Sequence, residues 1–405
     1  MREQLAPVNG GQRWKLGEVG SAAARAAVLA EPAAGALAPH LDGVLAYQQG
    51  ASSSCAAEPE ASERPPLIRM ASNENAFGPS ASVLAAVSRA FGQINRYPDA
   101  EGRRLREALA NHLGVQVENL VVDSGSEAIL ASVFRGILRD GDEVVTCRGT
   151  FAGVRVLVAT RGVPCREVPL RGYAFDLERL LDAVGPRTKL MYVANPNNPT
   201  GTWRGAADLQ RFVQHLPKRV LFVLDEAYAE YVCDTGILPG DLRAYPNVLR
   251  LRSFSKAYGL AGLRIGYGIG DAALVAMLRT IKLPFEPNQL AHAAGVAALA
   301  DTEHLQMVVS ATVAGRGRLI SGMRALGLEA LPSQTNFVMA AMRSPAAAAE
   351  LCRAVARRGI QIRQLAQFGL PDCVRVTVGL PDENERFLVA VAEALTASDD
   401  AGESA

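Results

Sequence analysis

The chain has 405 residues, 49% of them hydrophobic and 20% charged, and a formal net charge of +1. That length supports a large core and two or three domains, and the near-neutral balance excludes electrostatic capture by nucleic acid or an anionic membrane. No apolar run reaches about 18 residues and no compact leader opens the chain, so no membrane span is expected.

Residues 1–38 are rich in Ala, Gly and Glu. A short helical pattern over 22–31 is broken by Pro32 and Gly35, and the stretch is expected to be a poorly ordered extension. A second loose stretch, 48–66, has the composition of a linker. From Leu67 the pattern changes. Short apolar runs at 119–123, 143–147, 163–168, 189–194, 220–224, 248–251 and 265–269 read as buried strands. Amphipathic segments such as 126–138, 177–183 and 206–215 read as helices between them. This alternation predicts an α/β fold with a mainly parallel sheet. Beyond Pro284 the pattern predicts a long helical region over 289–326. Strands at 335–340 and 374–378 around a helix at 345–358 then form a smaller α/β domain.

The cysteines are Cys55, Cys147, Cys165, Cys233, Cys352 and Cys373. Their spacing forms no CxxC pair or Cys/His cluster, so no metal is expected and a reducing, cytoplasmic setting fits. Lysine is scarce, with Lys15, Lys189, Lys218, Lys256 and Lys282 alone, which leaves few candidates for amine chemistry. Lys256 follows a strand and sits among Ser253, Ser255 and Arg264. Hydroxyls and a guanidinium suit a phosphate dianion, and a lysine there can bond to an aldehyde, as lysines do with pyridoxal 5′-phosphate.

Two further segments carry what a pyridine cofactor needs. Asp225 ends an apolar run, where α/β sheets bind ligands, and can hold a ring nitrogen protonated. Tyr228 and Asn198 can reach the ring's 3-oxygen. Ser126 and Glu127 open a helix after a strand, where backbone N–H groups favour a phosphate.

Taken together these segments resemble the fold-type I aminotransferases that use pyridoxal 5′-phosphate, in particular the histidinol-phosphate aminotransferase family and its aromatic amino acid relatives. The matching motifs are Ala71 to Ser80, Arg96-Tyr97-Pro98-Asp99, Gly125-Ser126-Glu127, Asn195 to Gly201, Asp225 to Tyr228, Ser253 to Arg264 and Arg375 to Gly379. They span most of the chain.

The resemblance implies that Lys256 bonds to the cofactor and then shuttles the α-proton. Asp225 pairs with the ring nitrogen, and Asn198 and Tyr228 with the 3-oxygen. Ser126, Glu127, Ser253, Ser255 and Arg264 hold the phosphate, and Phe151 covers the ring face. Tyr97 enters the neighbouring subunit's site, which implies a homodimer. Arg375 grips the substrate's anionic end with Asn198 and Tyr47 nearby. Arg363 is either a second arginine there or a solvated surface residue. The implied layout is an N-terminal arm (39–75) packing on the small domain and a large cofactor domain (76–285). A linking helix with the small domain (286–395) and a disordered tail (396–405) complete it.

Ala128, Gly149, Val154 and the Ala46–Tyr47 pair depart from the family's pattern, and Val154 and Tyr47 are expected on the substrate side. The first reading is a transaminase with glutamate and 2-oxoglutarate as one pair, foremost for histidinol phosphate and imidazole-acetol phosphate. The same motifs fit an aromatic or other amino acid transaminase, and a pyridoxal-phosphate decarboxylase. A non-catalytic cofactor-binding regulator is disfavoured, because residues 1–38 are too short and too Ala/Gly-rich for a DNA-binding unit.

Overall fold

A computed structural model of the chain describes residues 39–41, 67–232 and 245–402. The 1–38 extension, the 48–66 linker and Tyr47 lie outside the described residues.

Chain order begins with β1 (Ile68–Arg69), α1 (Ala81–Ala90) and α2 (Arg103–Leu113). Then follow β2 (Leu120–Asp123), α3 (Ser126–Ile137), β3 (Glu143–Cys147), α4 (Ala152–Arg161) and β4 (Cys165–Val168). Next come α5 (Leu177–Asp182), β5 (Thr188–Ala194), α6 (Ala206–His215), β6 (Leu221–Asp225), β7 (Val248–Ser253), β8 (Gly266–Gly270) and α7 (Ala272–Ile281).

The strands β2 to β8 form a seven-stranded sheet in the order β2-β8-β7-β6-β5-β3-β4. Pairs among β3 to β7 are parallel, and β8 runs antiparallel to both neighbours. A mainly parallel sheet needs cover on both faces, which explains why β3 is buried at every position and β5 at nearly all. One face packs Phe134, Val158 and Phe212 of the helices against Val145, Met191 and Phe222 of the strands. On the other side Val83, Leu105, Ala291 and Ala294 close over Phe254 and Tyr267. Each fully buried side chain of this kind contributes ~1.5–3 kcal/mol.

The helical region expected over 289–326 is made of two helices, α8 (Gln289–Ala300) and α9 (Thr302–Ala325). Asp301 divides them, its carboxylate accepting from the His304 N–H as an N-cap. The α8 residues Ala291, Ala294 and Ala298 pack with Val83 of α1 and Leu105 and Leu109 of α2.

The remaining elements are β9 (Glu329–Ala330), β10 (Phe337–Ala341), α10 (Pro345–Arg357), β11 (Ile360–Gln361), β12 (Arg363–Leu365), β13 (Leu370–Thr377) and α11 (Pro381–Gly402). An antiparallel sheet in the order β12-β13-β10-β9 carries a second core around Val338, Val376, Leu351 and Phe387. The last helix runs to Gly402, past residue 396, where a disordered tail was expected. The expected arm divides as well. Ile68 and Met70 join the small core, and β1 pairs with β11. His40 instead meets the Thr160 carbonyl of α4 in the large unit.

Candidate active site

At the carboxyl ends of β5, β6 and β7 lies a cavity of about 200 Å³. Its wall brings together Ser126, Glu127, Phe151, Asn198, Asp225, Tyr228, Ser253, Ser255, Lys256 and Arg264. These residues span nearly 140 positions, and the open edge of the parallel sheet assembles them.

Lys256 leaves the end of β7 in a largely enclosed position, its Nζ 5.7 Å from the Tyr228 ring centroid and 3.4 Å from the Asn73 carbonyl. Burial, with Arg375 and Arg264 behind it, lowers its amine to a pKa of about 8. Asp225 accepts from the Ala227 N–H through Oδ1 and from the Tyr192 hydroxyl, at 2.7 Å, through Oδ2. Burial raises the carboxyl to about 6 against the pull of those two donors. Burial also holds the Tyr192 phenol well above its usual range, so it stays protonated and donates.

Opposite, the start of α3, Arg264 and the two serines converge. Gly125 caps α3 at φ 88° with no side-chain bond to its amides, leaving N–H groups aligned with the helix dipole. The Arg264 guanidinium stands 2.8 Å from where a Gly125 Cβ would lie. Arg264 itself adopts φ 53° and donates to Ser255 Oγ and the Ala261 carbonyl. Across the sheet, a Cβ on Gly266 would lie 2.2 Å from the Ser126 nitrogen. Only glycine there lets β8 run so close to the helix start. Among the described residues there is no group of His, Cys, Asp and Glu fit for a metal ion, and no helix long and apolar enough to cross a membrane.

The arginines sit behind the cavity. Arg375 donates to Asn198 Oδ1 and to the Ala71 carbonyl, so it meets the wall through Asn198. Arg363 is its cross-strand partner. Both are buried, and both guanidinium carbons lie within 6 Å of the Phe368 ring centroid, at 5.9 and 5.6 Å. The reading of Arg363 as a solvated surface residue is thereby corrected, since strand pairing turns it inward. Val154, expected on the substrate side, is fully buried in the main core. Its place on α4 turns it away from the cavity. Tyr97 is 81% exposed, stacks on Phe285 at 4.3 Å and does not line this cavity.

Sequence reasoning gave no role to Tyr192, Asn73 or Asn197. Tyr192 shares a strand face with Ala194, which pairs with Asp225; the period-two pattern was the available signal. Asn197, fully buried, donates to the Gly149 carbonyl and accepts from Thr150, fixing the loop that carries Asn198. Nothing local marks Asn73, whose partners all lie more than 150 positions away.

The set fits pyridoxal 5′-phosphate by its own chemistry: an amine of lowered pKa, a carboxylate, a flat aromatic ring and a converging set of anion donors. Comparison with known proteins agrees. Residues 65–391 match the family model for aminotransferase class I and II. The histidinol-phosphate aminotransferase 2 of Pseudomonas fluorescens is 41% identical over 331 residues, 81% of this chain and 89% of that protein. The histidinol-phosphate aminotransferase 1 of Thiobacillus denitrificans is 39% identical over 89% of this chain and 94% of its own. Among solved structures, the Sinorhizobium meliloti histidinol-phosphate aminotransferase in complex with pyridoxal-5′-phosphate aligns with a TM-score of 0.77 at 36% identity, covering 82% of this chain and 92% of that one. The Thermus thermophilus aspartate aminotransferase with maleate aligns at 0.74 and 25% identity, over 81% and 92%. The chain belongs to the aminotransferase class I and II family and is a pyridoxal-phosphate-dependent aminotransferase.

Proposed function

We propose that the enzyme transfers the amino group of histidinol phosphate to 2-oxoglutarate, acting as a homodimer in the cytoplasm. The observation that carries the substrate is the buried pair Arg363 and Arg375, side by side on β12 and β13. Paired across β12 and β13, and each within 6 Å of the Phe368 ring, the two guanidiniums present several N–H donors to one anion. A phosphate monoester, with up to two charges and three acceptor oxygens, answers the pair better than one carboxylate. The names of the relatives that are 39–41% identical support the same substrate.

When bound, the cofactor supplies an aldehyde for an amine and a ring that accepts electrons. Lys256 provides the amine that holds it, and once free takes and returns the substrate's α-proton. A pKa of about 8 leaves a useful fraction of that amine neutral near pH 7. Asp225, mostly ionised at that pH, keeps a ring nitrogen protonated, and Tyr192 holds its second oxygen in place. Ser253, Ser255, Arg264 and the amides at Ser126 and Glu127 bind the phosphate. Phe151 covers the ring face, Asn198 and Tyr228 hold the 3-oxygen, and Tyr97 serves the partner subunit's site.

An amino-donor screen tests the substrate. Histidinol phosphate should discharge the visible band of the resting enzyme with a kcat/KM at least about a hundredfold above phenylalanine, tyrosine or aspartate, the discrimination a dedicated polar pocket provides. Arg363→Ala should erase most of that margin. Faster turnover of an aromatic amino acid or aspartate would replace this reading with that substrate.

A further inference from the structure

Asn73 is a non-glycine residue at φ 55°, only 2% exposed. Asparagine tolerates this left-handed backbone better than most residues, but a buried one held there still carries strain that its surroundings must offset. Every polar group of Asn73 is engaged. Its Nδ2 donates to the Tyr228 hydroxyl at 2.9 Å. Its own N–H donates to Thr377 Oγ1 at 2.9 Å, and Thr377 Oγ1 donates back to Oδ1 at 3.3 Å. Its carbonyl accepts from Lys256 Nζ and from Asn336 Nδ2. The reciprocal bond with Thr377 fixes the amide orientation, and with it the donor that faces Tyr228.

One residue of the N-terminal segment thus ties two cavity residues, which follow strands β6 and β7, to Thr377 of β13, two positions from Arg375. We propose that Asn73 is a positioning residue that sets the Tyr228 hydroxyl and keeps the Lys256 amine in reach of the reacting atoms. The inference rests on the roles proposed above for Tyr228 and Lys256. A hydroxyl that accepts from Asn73 is directed to give its proton elsewhere, so the amide selects Tyr228's donor direction. The carbonyl gives the Lys256 amine a fixed resting place when it is not covalently engaged.

The test is a double-mutant cycle on the cofactor-loaded enzyme, read by pH titration of its visible band and by kcat and KM separately. Asn73→Gly keeps the left-handed backbone and the carbonyl but removes the amide. It should displace the band's titration by about half to one pH unit, the effect of one lost hydrogen bond, and lower kcat about tenfold with little change in KM. Tyr228→Phe should move the band in the same direction, and the double variant should match Tyr228→Phe alone. Independent, additive effects overturn the inference, as does an Asn73→Gly enzyme that titrates as wild type. If Asn73→Gly does not fold, Thr377→Val removes the clamp on the amide and should give the same displacement at reduced size; no displacement overturns the inference. A Tyr228→Phe enzyme with unchanged band and turnover, or a band that survives Lys256→Ala, is a failure of the underlying reading instead.

Discussion

Lys256 differs from a surface lysine through burial first and through Arg375 and Arg264 second, which together bring its pKa to about 8. The shift favours the neutral amine, so cofactor capture by cofactor-free protein should accelerate as pH rises towards about 8 and then level off. An ordinary lysine would keep accelerating to about 10.4; stopped-flow absorbance across pH 6.5–10 distinguishes the two curves. Lys256→Ala should lose the visible band and at least about a thousandfold in turnover, as expected for an absent base. Asp225→Ala should retain bound cofactor but slow turnover at least about a hundredfold; unchanged turnover would remove Asp225 from its role. Lys256, Asp225 and Arg264 were legible because each stands in a local run of telling neighbours. Tyr192 was not, since an aromatic in an apolar strand has an ordinary core explanation and its partner Asp225 lies 33 positions on.

At the scale of elements, the proposed anion cradle depends on how closely β8 passes the start of α3. Gly266→Ala would place a methyl 2.2 Å from the Ser126 nitrogen and 2.6 Å from the Gly125 carbonyl carbon. Both are backbone atoms that cannot swing aside. The variant should lose about 3 kcal/mol or more of stability, the range of severe overpacking, and bind the cofactor at least about tenfold more weakly. Thermal melts with and without added pyridoxal phosphate separate these effects. The elements themselves were largely readable from apolar runs and amphipathic spacing. Within the helical region of 289–326, Asp301 ends one helix and caps the next, and α11 continues beyond residue 396. The pairing of β12 with β13, which sets Arg363 beside Arg375, is a register between separate strands and has no signature in either.

Over the whole molecule, Phe91, Ile94, Tyr97, Leu283 and Phe285 remain exposed, with Tyr97 stacked on Phe285. An exposed stacked aromatic pair is in keeping with the proposed homodimer. Phe285→Asp should shift the protein towards monomer in sedimentation at micromolar concentration, and activity should fall with it if Tyr97 serves the neighbouring site. Deleting residues 1–38 should leave band and turnover within about twofold, because the family match begins at residue 65 and such terminal extensions tolerate truncation.

The sequence by itself determined the α/β class and the family resemblance, because strand-helix alternation and motifs such as Ser253 to Arg264 are properties of short segments. Tertiary structure decided which distant groups meet. It set Tyr192 against Asp225, Asn73 against Tyr228 and Thr377, and Arg363 beside Arg375, and it turned Val154 into the core. Those choices follow from strand order, register and close packing, which arise only when segments far apart in the chain are brought together.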